Sequence, residues 1–407
     1  YLLAATAALP VYGKLSDLFG RVRMLNIGIG LFLAGSVACA LAQDLPTLLA
    51  ARVLQGLGGG GLIALAFTVI ADCIPPREVG KYQGYISAVY AVSSIAGPLL
   101  GGYFTEQLSW RWIFWINLPL GALALWLVNR NLGHLNVRRH SRFDWKGAGL
   151  LITVTTLSLL LLSPETALSA IWLAAGLALA LLLLILVERR AQDPILPAHL
   201  ARLPGYLVSV LLALASQLLM FAVLVYLPLQ MQWQKGMGAS ESGLYMVIFM
   251  VCITAGAFVG GKLIGRTGYY KRFVVVGFAL AALALWQIHF DLFANLGLGF
   301  AGLGLGLVLP ALSVVVQNAL PREDRGIGMS LFNFGRELGG AVGVAICAVL
   351  FHGALPAGTS HNLASLSPAE LAPGFSATYV GMALIASAAL LITLLALKRH
   401  ELASIPA

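Results

Sequence analysis

Gly13-Lys14-Leu15-Ser16-Asp17-Leu18-Phe19-Gly20-Arg21 separates two apolar runs, 1–12 and 25–42, and part of it returns downstream as Gly261-Lys262-Leu263 followed by Gly268, 248 positions on. A second pair, Pro76-Arg77-Glu78 and Pro321-Arg322-Glu323, repeats at an offset of 245. Near-equal offsets at equivalent places between apolar segments point to a duplicated chain. Such parallel repeats are related about the membrane normal and place a substrate site between the halves. The composition around these signatures names the solvent. Of 407 residues, 59% are hydrophobic and 10% charged, with a mean hydropathy of +0.90. Soluble domains carry about 25% charged residues, and a water-soluble fold cannot hide this much apolar side chain.

Outward from the repeat, thirteen apolar segments are long enough, or nearly so, to cross a bilayer, which takes about 20 residues each. They are 1–12, 25–42, 47–71, 82–104, 110–128, 147–163, 169–187, 206–231, 241–262, 273–289, 293–317, 327–352 and 376–397. Lipid offers no partner to an open backbone, so each is expected to be helical and the chain all-α. Charge tests the count. With the loop after the first segment placed in the cytoplasm and sides alternating, 21 of the 25 Lys and Arg fall inside, as cytoplasmic loops require. Arg111 and Lys235 fall outside, Arg52 and Arg336 fall within spans, and the C-terminus is cytoplasmic. The first run is short and has no opening Met, so the chain is expected to begin inside a helix with another helix upstream. No basic region precedes it, which argues against a signal peptide. Five spans precede 147–187 and six follow. The expected organisation is 1–128 as an N-terminal bundle lacking its first helix, 129–205 as two extra helices with linkers, and 206–407 as a C-terminal bundle.

Several motifs carry a family resemblance. Gly13 to Arg21 resembles the loop between the second and third helices of major facilitator transporters, and Arg52-Val53-Leu54-Gln55-Gly56 resembles their fourth-helix motif. Gly97-Pro98-Leu99-Leu100-Gly101-Gly102 is similar to the fifth-helix motif of the antiporters among them. Trp110-Arg111-Trp112-Ile113-Phe114-Trp115-Ile116-Asn117-Leu118-Pro119 and Phe143-Asp144-Trp145-Lys146-Gly147 look like the fourteen-helix drug:proton antiporter branch. The similarity covers the whole chain and is most specific over the first 120 residues. It implies the major facilitator fold, two pseudo-symmetric six-helix bundles plus two inserted helices. It also implies export of small toxic compounds, apolar or cationic, against inward proton flow across the inner cell membrane. The partners it implies are substrate, protons and lipid, with room for periplasmic adaptor proteins. No cofactor is implied.

The same residues have physical readings. A carboxylate at Asp17 can accept backbone N–H groups at a neighbouring helix N-terminus and pair with Arg21, latching one conformation; the alternative is a solvated turn shaped by Gly13 and Gly20. The second copy is degenerate, with Gly265 for Asp17 and Tyr269 for Arg21. Arg52 within a span costs about 2.5–3.5 kcal/mol on insertion scales and normally faces protein or water. With Gln55 it reads as a partner that tunes a proton-carrying carboxylate, or as an Arg reaching the outer interface. Gly97 and Gly101 share a helix face and allow close approach, and Pro98 allows a bend. Arg336 and Glu337 sit near mid-membrane, about 15 Å beyond Arg325 at 1.5 Å per residue. They read as cavity-lining residues, Glu337 being a proton-binding candidate, or as a structural ion pair. The main proton carrier is expected on the upstream helix.

Other classes fit less well. Gly56-Leu57-Gly58-Gly59-Gly60-Gly61 matches a dinucleotide-binding pattern, but it lies inside an apolar span without the strand that motif needs. Cys39, Cys73, Cys252 and Cys347 have no metal spacing. The +9 net charge is scattered through short loops, unlike a nucleic-acid-binding tract. The 16 acidic residues show no cluster for a membrane-embedded metalloenzyme, so no catalytic residues are expected. A major facilitator importer or exporter of a specific metabolite is the alternative transporter.

Overall fold

The computed structural model describes residues 1–74, 107–132, 144–161, 170–191, 199–203, 205–290, 294–321, 324–355 and 366–397, with single positions between them. Every extended element there is helical: α1 (Leu2–Phe19), α2 (Arg21–Leu41), α3 (Leu45–Cys73), the single turn α4 (Trp112–Trp115), α5 (Asn117–Asn131), α6 (Trp145–Leu161), α7 (Ala170–Arg190), α8 (Tyr206–Trp233), α9 (Ala239–Thr267), α10 (Tyr270–His289), α11 (Ala294–Ala319), α12 (Arg325–Gly353) and α13 (Pro368–Ala396). Several hydroxyls on these apolar helices are satisfied locally. Thr68, Thr378 and Thr393, for example, each donate to the carbonyl one turn back at 2.7–2.9 Å. At the start of α3, Asp44 Oδ1 accepts the Thr47 N–H at 2.8 Å. Hydrogen bonds from the Thr47 side chain and backbone hold the Asp44 carboxyl below its usual value.

Among the described residues, ten helices are long and apolar enough to cross a membrane, against the thirteen expected. The difference has three sources. Helix α1 carries Lys14 and Asp17 in its last turns, which dilute its hydropathy. Helix α6 has 17 residues. About half of the expected span 82–104 lies outside the described residues. A second difference concerns the signature itself. The stretch from Gly13 to Phe19, expected as a loop, continues α1, and the chain turns only at Gly20, whose φ of 94° disfavours other residues. The repeat behaves alike: Gly261 to Leu263 lie inside α9, and the turn is Gly268 at φ 73°.

The chain forms two compact units, one of Tyr1–Cys73, Ala96–Arg202 and Leu320–Phe334, the other of Ile74–Ile95, Leu203–Ala319 and Gly335–Ala407. In the first, α1, α2 and α3 close on a core that includes Leu9, Tyr12, Leu25, Ile29 and Leu65. Their contact is made at glycines of α3. A side chain at Gly56 would strike the Tyr1 carbonyl, one at Gly58 the Gly28 carbonyl, and one at Gly60 the Ala5 carbonyl. The second unit repeats this trio. On α11, a side chain at Gly302 would strike the Phe249 carbonyl, one at Gly304 the Gly277 carbonyl, and one at Gly306 the Ile253 carbonyl. Each glycine has moved by 246 positions, and its partners by 248 or 249. Three contacts with one spacing are strong evidence for the duplication. They also assign Gly56 to Gly61 to helix packing, since all lie inside α3.

A β-carbon at Gly60 or Gly306 meets a backbone carbonyl, which cannot move aside as a side chain can. Gly30, on α2, faces open space. Gly60→Val and Gly306→Val are therefore expected to cost about 1–3 kcal/mol or more by overpacking, and Gly30→Val close to nothing. Thermal unfolding of detergent-solubilised variants, followed by size-exclusion chromatography, checks this. Parental melting for Gly306→Val would refute the packing.

Candidate functional site

Two polar clusters interrupt the apolar interior of the first unit. One lies at the end of α1. Ser16 donates its hydroxyl to the Gly13 carbonyl at 2.8 Å and accepts from Arg21 Nη1 at 2.7 Å. Arg21 also pairs with Asp17, one turn away, with both side chains nearly buried at 13% and 11% exposure. Gly20 makes this possible, because its sharp turn starts α2 with Arg21 folded back over α1. The pair lies against the start of α12. A side chain at Gly326 would collide with the Asp17 carboxylate, and one at Gly13 with the Ser330 side chain. Gly13 and Asp17 are one turn apart, as are Gly326 and Ser330, so α1 and the start of α12 pack antiparallel. The first N–H groups of a helix lack intrahelical partners and carry partial positive charge. Asp17 thus sits where a carboxylate is favoured, and Gly326 is the residue that lets it in. Sequence reading supplied Gly13, Asp17, Gly20 and Arg21 but missed Gly326 and Ser330. The proximity of Gly326 to Pro321 in the second copy of the loop was the only available signal.

The second cluster joins two motifs that are far apart in sequence. Arg52 Nη1 donates to Gln55 Oε1 at 2.8 Å, and Gln55 Nε2 donates to the Ser36 hydroxyl at 2.8 Å. Asn117 Nδ2 donates to the same hydroxyl at 3.2 Å, and Ser36 donates to the Phe32 carbonyl at 2.8 Å. Gln55 and Ser36 are buried. Gly35 allows their approach, since a side chain there would strike the Gln55 backbone. The Arg52 guanidinium lies 4.9 Å from the Tyr1 ring centroid and 5.7 Å from that of Phe114, within cation–π range. Phe114 is buried with Cys39, Ala40 and Ala51, and Arg111 Nη2 donates to the Ala42 carbonyl at the end of α2 at 2.9 Å. Thus Trp110 to Asn117 brace the Arg52 end of α2 and α3. Asn117 and Ser36 were not foreseen, because neutral polar residues leave no mark on a hydropathy profile.

The remaining expected residues stand as follows. Arg336 and Glu337 bond to each other, Nη2 to Oε1 at 2.9 Å, with exposures of 9% and 13%. Neighbours on a helix diverge by about 100°, but two long side chains bend back to meet. Gly97 and Gly101 are described and helical, and a side chain at either would meet nothing within 4 Å. Pro98 and Gly102 lie outside the described residues. No group of three or more His, Cys, Asp or Glu among the described residues could hold a metal ion.

The Major Facilitator Superfamily model matches residues 1–344. An uncharacterised transporter of that type from Mycobacterium tuberculosis is 35% identical over 364 residues, covering 86% of this chain and 53% of the relative. A multidrug transporter protein of Bacillus subtilis, MdtP, is 33% identical over 365 residues, covering 86% of this chain and 67% of the relative. The chain thus spans about half the length of the mycobacterial protein. Among solved structures, the human organic anion transporter MFSD10 superposes with a TM-score of 0.68 at 17% identity, over 96% of this chain and 81% of that one. A proton:xylose symporter bound to 6-bromo-6-deoxy-D-glucose gives 0.64 at 16% identity, over 97% and 83%; at such identities these show the fold alone. With its glycine-packed repeat, its buried polar clusters and this match over most of its length, the chain belongs to the Major Facilitator Superfamily.

Proposed function

We propose that the protein is a proton-coupled exporter of small toxic compounds, of the fourteen-helix drug:proton antiporter branch, working by alternating access in the inner cell membrane with its C-terminus in the cytoplasm. The observation that carries the coupling is the Arg52 cluster. A guanidinium within a membrane span is held by Gln55 and aromatic faces, and Gln55 in turn donates to the Ser36 hydroxyl, to which Asn117 also donates. Intramembrane charge is expensive and marks function. Export is supported by the names of relatives, MdtP and the multidrug resistance protein 3 of Bacillus subtilis, the latter 31% identical over 357 residues. In this reading, Asp17, Arg21, Gly13 and Gly20 latch one conformation against α12. The partners are substrate and protons. The organisation is an N-terminal bundle within 1–128, inserted helices within 129–205 and a C-terminal bundle within 206–407. Accumulation of a toxic-compound panel in cells expressing the protein as its gene encodes it tests direction. Lowered accumulation supports export, and raised accumulation means import.

Two variants test the parts. Asp17→Asn removes charge with little change of shape. A hydrogen bond to a charged group contributes about 1.5–3 kcal/mol, so its loss shifts a two-state balance by about tenfold or more. We expect normal insertion with transport reduced by that order, read as dye efflux; the parental rate would end the latch. For Arg52, everted vesicles with an imposed pH gradient are the assay. Arg52→Ala should abolish pH-driven efflux, and Arg52→Lys, which keeps charge but not the planar fork, should restore only part. Undiminished pH-driven efflux by the Ala variant would remove Arg52 from the coupling.

A further inference from the structure

At the end of the first unit where Gly20 turns the chain, two arginines stand side by side in depth on neighbouring helices. Three contacts set α5 antiparallel to α2. Asn117 Nδ2 donates to the Ser36 hydroxyl, a β-carbon at Gly121 would strike the Leu33 side chain, and Asn26 Nδ2 donates to Asn129 Oδ1 at 2.7 Å. That register carries Arg23 to the level of residues 130–132, and so of Arg130. Arg23, Asn129 and Arg130 are exposed, and α5 has no buried residue, so it borders the lipid. Among the described residues neither arginine has a hydrogen bond or an ion pair. The Arg23 guanidinium lies 6.0 Å from the Phe19 ring centroid, and that of Arg130 lies 5.1 Å from that of Trp126. Neither α2 nor α5 holds an Asp or Glu, and the stretch 132–143 adds only Arg138, Arg139 and Arg142 to the charge. Asp17, at the end of α1, is taken by Arg21. The repeat offset of 248 supplies a contrast. Lys271 stands at the place of Arg23 in the second unit, and its Nζ donates to the Leu394 carbonyl near the end of α13 at 2.9 Å. There the cation closes a helix end; Arg23 closes none. Deeper along α5, Leu120, Leu123 and Leu127 are exposed on one stripe, a track for an acyl chain, and Trp126 suits the headgroup level where aromatic rings collect. Guanidinium groups bind phosphate with two parallel hydrogen bonds, and basic surfaces between helices at a membrane face attract anionic headgroups. We infer that Arg23 and Arg130, with the amides of Asn26 and Asn129, dock the headgroup of one anionic phospholipid in the leaflet on that side. This needs only insertion in a membrane and is independent of the proposed transport. A competing account makes the two arginines counter-charges to the carbonyl end of α5; it predicts a loss of stability on their removal but no preference among lipids.

Native mass spectrometry of the delipidated protein, expressed as its gene encodes it and held in detergent, decides between them. The probes are phosphatidylglycerol and phosphatidylcholine with the same acyl chains. The first phosphatidylglycerol should bind about tenfold or more tightly than phosphatidylcholine. Arg23→Gln and Arg130→Gln should each weaken that binding about fivefold, and together about thirtyfold, as the loss of one basic group apiece beside an anionic lipid predicts. The double Lys variant should keep most of it. Arg272→Gln, which removes a cation lying over the Tyr269 ring in the second unit, should keep all of it. Melting temperatures show whether each variant is folded, and the single Gln variants decide if the double one is not. The proposal fails if phosphatidylcholine binds as tightly as phosphatidylglycerol, if the folded Gln variants bind phosphatidylglycerol as the parent does, or if Arg272→Gln weakens binding as much as they do.

Discussion

Hydrocarbon does not push helices together as water does, and it offers no partner for an open backbone group. Association must come from close packing, and a residue without a β-carbon lets one helix backbone reach another. The rest of the structure depends on that constraint. Gly56 and Gly60 admit the α1 backbone to α3, Gly58 admits α2, and Gly302, Gly304 and Gly306 do the same for α9 and α10 on α11. The polar clusters inherit their geometry from these contacts. Gly35 sets α2 close enough to α3 for Ser36 to reach Gln55, while Gly13 and Gly326 bring α1 and α12 together so that Asp17 meets a helix start. Replacing Gly13, Gly35 or Gly326 would disturb a polar cluster as well as a helix contact.

The same solvent raises the stakes of every charge. On a water-exposed helix, an Asp and an Arg one turn apart contribute about 0.2–0.5 kcal/mol. Asp17 and Arg21 are nearly buried, and the start of α12 adds its own field, so the pair matters more here and breaking it exposes more to loss. Arg336 and Glu337 follow the opposite course. Bonded to each other on one helix, they bring a cation and an anion into the membrane with little net charge.

The spans were legible because a bilayer demands a long apolar run, and helices such as α8 and α11 stand within a few residues of their expected bounds. The junctions were less so. Lys14 and Asp17 read as a loop by hydropathy, but an amphipathic turn continues a helix as readily as it ends one, and only a positive φ at Gly20 breaks it. Arg52 and Gln55 announced themselves by a charge among apolar neighbours, whereas Ser36 and Asn117, neutral and distant in sequence, did not. The duplication was read from two loop signatures. Its strongest trace, the glycine trio, was recognised in one half as packing but not matched to the other, because it shifts by 246 while its partners shift by 248 or 249. A search for one fixed offset passes over helices that moved by slightly different amounts.

An arginine cannot carry the proton in the proposed cycle, because it stays charged at any pH the cell reaches. What it can do follows from its surroundings. The hydrogen-bonded chain running from Arg52 is neutral, through Gln55, Ser36 and Asn117, and the rings of Tyr1 and Phe114 add only quadrupoles. Among the described residues its charge is therefore stabilised by dipoles and meets no anion. A carboxyl group isolated in a dry interior holds its proton tightly, since burial disfavours the charged form; beside a cation, the anion is favoured and the proton leaves. Bringing a carboxyl group to Arg52 in one conformation and withdrawing it in the other would alternate release with uptake. The requirement is a rigidly placed cation, and Gly35, Phe114 and Arg111 provide the bracing that keeps it in place.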